Sequence, residues 1–292
     1  MDVRLIQTQI AVLHKLNELS ADTGEPIEVT RTPGGRILVS GSVAENTRKQ
    51  EISSALQAMP DHELIDIRVA SQHDLRISLP AFRKLRSPAA SVYNIGQAEA
   101  PADTILRAYF GAKGWPNDRV NSSVAQFSQA ALEHARQALQ HAYALDRLGR
   151  AFSAEELRAI SPASRRQWAE MLARHAAALE SELHQLHDQL VPITPPAREF
   201  AGVDSVRAPI DTLASFASTA GELLQQIQTL NRNIGNCFAS GSAGKAKQTP
   251  DSLVAEAANS IPLRKAAEVS RLASRLAQTD SMANGHNNIA GK

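Results

Sequence analysis

The chain has 292 residues, of which 43% are apolar, 21% charged and 4% aromatic, which excludes wholesale disorder and suits about two domains. Lys and Arg number 31 against 30 Asp and Glu, a net charge of +1, so the basic excess of a dedicated nucleic-acid binder is missing. A single cysteine, Cys237, excludes an internal disulfide and any multi-cysteine zinc or iron–sulfur site.

Val3, Ile6, Ile10, Leu13, Leu16 and Leu19 recur at three- and four-residue steps and predict an amphipathic helix, with Gly24 as its terminator. Two alternating stretches, Ile27 to Arg31 and Ile37 to Val43, flank Pro33-Gly34-Gly35 and read as a hairpin. A second helix, capped by Asn46 or Thr47, carries Ile52, Ala55, Leu56 and Met59 on one side. Leu64 to Val69 is a third strand, and Leu75 to Leu79 a candidate fourth. The order helix, strand, strand, helix, strand predicts a two-layer α+β domain over residues 1–79, with two helices on one face of a small mixed sheet.

The strand Ile37-Leu38-Val39-Ser40-Gly41-Ser42-Val43, the Lys-containing helix with Ile52 and Leu56, and Ile65-Asp66-Ile67-Arg68-Val69 together resemble a BON domain. That family pairs a V-x-G-x-V strand with a short helix and a closing strand. The resemblance implies the bacterial envelope, with contact to phospholipid surfaces and self-assembly.

Residues 80–103 are rich in Pro, Ala and Ser and read as a linker. Within it Arg83, Lys84 and Arg86 are read first as a solvated cluster and second as a contact for an acidic lipid or partner. From there to residue 238 the pattern is that of a long-helix bundle. A short helix with Ile105, Leu106, Tyr109 and Phe110 ends at Gly111 and Gly114, and a long one covers 119–149. Ser153 and Glu156 form a capping box with a Phe152–Leu157 staple, and Ser161-Pro162 starts another helix.

That helix carries Trp168, Leu172, Ala176, Leu179, Leu183, Leu186 and Leu190, a heptad seam from Leu172 onward. The next repeats Val206, Ile210, Leu213, Ala217, Ala220, Leu224, Ile227, Asn231 and Ile234 in the same four–three alternation. Leu172, Leu179, Leu183, Leu186, Leu190, Leu213, Leu224 and Ile227 are therefore candidate interface positions, facing each other or partner copies. Asn231 either fixes register there or sits near a fraying end by Gly235. Residues 239–249 are a flexible linker, 250–279 a helix interrupted by Pro262, and 280–292 a polar tail expected to be disordered.

The motifs Phe-Ser-Ala-Glu-Glu-Leu (152–157) and Trp-Ala-Glu-Met-Leu (168–172), the leucine seam and Cys237-Phe238-Ala239 join the BON-like unit in a second resemblance. Together they are similar to soluble regions of acidobacterial anti-sigma-factor-like membrane proteins. There a zinc-finger segment and one membrane helix precede such a region, and this sequence contains neither. The resemblance implies a periplasmic position in a membrane-anchored protein. Without it the chain reads as cytoplasmic, because no run approaches ~18–20 apolar residues and no signal peptide opens the sequence.

Chemistry-bearing groups do not converge in the sequence. Glu180, His184 and His187 share a helix face, and with His134 or His141 they form the one metal-site alternative, a helical-bundle metal protein or metalloenzyme. Neither His-Glu-x-x-His nor paired Glu-x-x-His spacing occurs. His134, His141 and His175 read instead as groups bonding between helices, and Cys237 as a buried thiol. The expectation is a non-enzymatic interaction protein without catalytic, metal or cofactor residues, acting on a protein partner, itself or a membrane surface.

Overall fold

The computed structural model describes residues 2–72, 74, 99–194, 213–240 and 249–285. These residues form a small three-stranded sheet near the N-terminus and long helices after it. They divide into two compact units whose segments alternate along the chain. The first holds Met1–Ser91, Arg150–Arg174 and Ala273–Lys292, and the second Val92–Gly149 and His175–Leu272. Contact rather than sequence order sets these boundaries.

In the first unit α1 (Val3–Glu18), β1 (Ile27–Arg31), β2 (Ile37–Val43), α2 (Asn46–Gln57) and β3 (Ile65–Ser71) follow in that order. β2 is central, antiparallel to β1 and parallel to β3, with Val39 opposite Val29 and Ile67. Alternation places Ile37, Val39, Val43, Ile65 and Val69 on one face, where Leu5, Val12 and Leu16 of α1 and Ile52 and Leu56 of α2 complete the core. Burying each such side chain contributes about 1.5–3 kcal/mol. Leu75 to Leu79 lies outside the described residues.

Gly41 occupies a position that admits no side chain. A Cβ there would stand 2.1 Å from the Pro26 carbonyl oxygen and 2.9 Å from the Ile27 Cα. The strand thus needs its glycine for close backbone approach.

Two local expectations change. The first helix ends at Glu18, well before Gly24: Ser20 takes the left-handed conformation (φ 53°), Ala21 N–H donates to the Leu16 carbonyl, and a Schellman-type cap closes without glycine. In α2 neither Asn46 nor Thr47 is the cap. Glu45 holds that position without a side-chain bond to the helix backbone, and the Thr47 hydroxyl donates to the Glu45 carboxylate at 3.2 Å.

The remaining helices are α3 (Asp103–Gly111), α4 (Asn117–Arg150), α5 (Ala154–Ala159), α6 (Pro162–Leu190), α7 (Leu213–Phe238), α8 (Pro250–Asn259) and α9 (Leu263–Gly285). The Ser153–Glu156 capping box is complete at both bonds, 3.2 and 2.8 Å. Pro162 stands at the first position of α6, and the second half of the C-terminal pair restarts just after Pro262. Among the described residues no helix is long and apolar enough to cross a membrane.

Candidate functional site

The histidines fall into separate pairs. In the second unit His134 Nδ1 lies 2.7 Å from Glu182 Oε2, and His141 Nδ1 lies 3.1 Å from His175 Nδ1, each pair joining α4 to α6. His187 Nδ1 lies 3.2 Å from the carboxylate of its neighbour Asp188, and His184 is exposed. Glu180 does not join them: among the described residues no group of three or more His, Cys, Asp or Glu side chains could hold a metal ion. The imidazole pair bonds only while one ring nitrogen keeps a lone pair, so the two rings act as a donor–acceptor couple between helices.

The seam positions are covered by the chain's own side chains. Leu172, Leu179, Leu183, Leu186, Leu190 and Ile227 are each 0% exposed and Leu224 is 9%. Leu213 and Asn231 are half-buried. An interface built on the leucine positions would require these helices to part. Arg83, Lys84 and Arg86 lie outside the described residues.

Cys237 is fully buried, and burial pushes its thiol up to about 12, with the charge of Glu256 adding to the effect. Its carbonyl accepts from Ala102 N–H at 3.0 Å, which moors the start of α3 to the end of α7.

From that mooring a feature grows that the periodicity did not indicate. α3 brings Tyr109 and Phe110 to its last turn, and Gly114 (φ 72°) reverses the chain, with Gly114 N–H donating to Gly111 O at 2.9 Å. A left-handed residue at this turn favours glycine. The reversal returns Trp115 onto Phe110, stacked at 5.6 Å between ring centroids with 16° between planes. Phe110 meets Phe127 at 6.2 Å, and Phe127 meets Phe238 at 5.9 Å, so the stack runs down into the helices. Five of the chain's 12 aromatic residues belong to this cluster.

Cations cover its outer end. The Lys113 ammonium stands 4.4, 5.3 and 5.1 Å from the ring centroids of Tyr109, Phe110 and Trp115, and the Arg119 guanidinium carbon lies 4.1 Å above Trp115. Beside them runs a shallow groove of about 500 Å³ lined by Arg107, Gly111, Trp115, Asn117, Val120 and Asn121. Lys113 and Arg119 are exposed, whereas Tyr109 and Trp115 are half-buried. The signal available in the sequence was local: Lys113-Gly114-Trp115-Pro116 places a cation, a turn and one of only 2 tryptophans side by side. It carries no helical or strand period, so a search for stripes passes over it.

Compared with known proteins, the chain matches no family model, no curated protein and no solved structure.

Proposed function

We propose that the chain is a non-enzymatic interaction or scaffold protein of the bacterial envelope, the soluble part of a membrane-anchored regulator, which works by binding a protein partner or a second copy of itself. The observation that carries this reading is the use made of its reactive side chains. His134 is engaged with Glu182, His141 with His175, and Glu156 with both Arg31 and its own helix cap. Each ties two elements together, and such ties hold a shape for recognition rather than gathering groups around a reacting atom.

The envelope setting draws its support from the likeness to BON domains. Residues 3–71 follow the order helix, strand, strand, helix, strand, and the glycine of the V-x-G-x-V strand has a steric reason to be there. The long apolar stripes serve in this reading to build a rigid support, while contact falls to the outer surface. Sedimentation velocity over a hundredfold concentration range, joined to cross-linking in intact cells, is the test. The expected result is a defined oligomer or a defined partner adduct. An invariant monomer with no adduct overturns the proposal.

A further inference from the structure

We infer that the corner between α3 and α4 is a docking site for an acidic peptide segment of a partner protein, its carboxylates received by Lys113 and Arg119 beside Trp115. The inference rests on the interaction reading above and names the kind of partner. Its first support is charge without a partner. No carboxylate lies within ion-pair distance of Lys113 or Arg119 among the described residues, whereas Arg4, Arg31, Arg36 and Arg48 each hold one. Arg107 is already part-neutralised by Glu99 at 3.7 Å.

The second support is preorganisation. The Arg119 guanidinium carbon is held 4.1 Å over the indole of Trp115, and a guanidinium presents a fork of N–H groups that can meet a carboxylate with two bonds. Lys113 is likewise held above three rings, so less side-chain freedom is lost when an anion arrives. The amide of Asn117 lines the adjoining groove, and Asn121, whose Oδ1 accepts from Arg107, keeps its N–H groups there as donors for an extended backbone.

The same geometry argues against two other anionic surfaces. Single-stranded nucleic acid stacks its bases on open aromatic faces, and here Phe110 and Arg119 already cover the indole. A membrane-inserting loop presents large apolar side chains to the acyl boundary. Among the described residues the exposed large hydrophobics are Tyr143 and Val191, and neither belongs to this corner.

The test uses the full chain and a fluorescein-labelled hexapeptide of glutamate and leucine, read by fluorescence anisotropy. Saturable, salt-sensitive binding is expected, with the same peptide carrying lysine for glutamate left unbound. The double variant Lys113→Ala/Arg119→Ala should bind at least tenfold more weakly at unchanged circular dichroism. Arg68→Ala/Arg166→Ala, which removes two exposed cations elsewhere, should bind as the parent does. Absence of saturable binding, or equal weakening in both double variants, overturns the site. So does tighter binding of phosphatidylglycerol-containing vesicles or of oligothymidylate than of the peptide. A chain that still oligomerises or cross-links to a partner in those cases loses this site alone, and the broader reading stands.

Discussion

Within each of the two units a different chemistry holds the elements in place. In the sheet-bearing unit arginine forks clamp short elements: Arg4 bonds Asp61 and Glu63, Arg36 bonds Asp66, Arg31 bonds Glu156, and Arg48 bonds Glu25 and the Leu19 carbonyl. In the second unit the leucines from Leu179 to Leu190 and the Phe110–Phe127–Phe238 series do that work, with His134 and His141 as polar ties. A short strand or a 12-residue helix buries few side chains, so loops between such elements need polar clamps. A helix of 29 or 34 residues covers enough apolar surface to dispense with most of them.

The contrast can be broken hardest at Gly41. Replacing it by Ala puts a Cβ against the Pro26 carbonyl, and we expect a loss of about 3 kcal/mol or more with broken β1–β2 pairing. Hydrogen exchange should show the loss in the sheet. In the helical unit Leu183→Ala should cost about 3 kcal/mol, because the site is fully buried and lacks any polar substitute. Chemical denaturation reads it as a lowered midpoint.

Acid sharpens the comparison. The Arg4 guanidinium holds the Asp61 carboxyl below its ordinary range, Arg31 does the same for Glu156, and Lys49 with the Ser71 amide lowers Asp74 to about 2. Carboxylates depressed on folding stabilise above their unfolded pKa and lose that contribution as pH falls toward the folded value. The sheet-bearing unit should therefore loosen between about pH 4.5 and 2, followed by exchange or near-ultraviolet dichroism, and high salt should mimic part of the effect. Glu133, held at about 2 chiefly by Arg136 within one helix turn, ties no second element and adds little to the contrast. Glu156→Gln, which weakens both the cap and the Arg31 contact, should cost about 1 kcal/mol at neutral pH by thermal unfolding. Smallest is a gain: Ser20→Gly relieves a left-handed serine and should add about 0.5 kcal/mol to the melting stability.

Much of the fold was legible because periodicity records burial. The hairpin bounds Ile27–Arg31 and Ile37–Val43, the capping box at Ser153 and the break at Pro262 all follow from side-chain chemistry acting within a few residues. What was not legible depends on contacts distant in sequence. Ser20 displaced Gly24 as terminator because the Leu16 carbonyl found the Ala21 amide, a choice that composition does not encode. Arg31 and Glu156 are 125 positions apart, and nothing in either segment announces the other. The Trp115 corner is aperiodic, and its cations gain meaning only once Gly114 has folded them back over the rings.

The central claim is that the leucine seams are internal and that recognition belongs to the outer surface. Hydrogen–deuterium exchange with mass spectrometry, run on the full chain at low and high concentration and with the acidic peptide added, tests it most directly. Segments 172–190 and 213–234 should be strongly protected at every concentration, with new protection on peptide addition confined to 104–121. Seam segments that exchange freely when dilute and gain protection only as concentration rises would contradict the account.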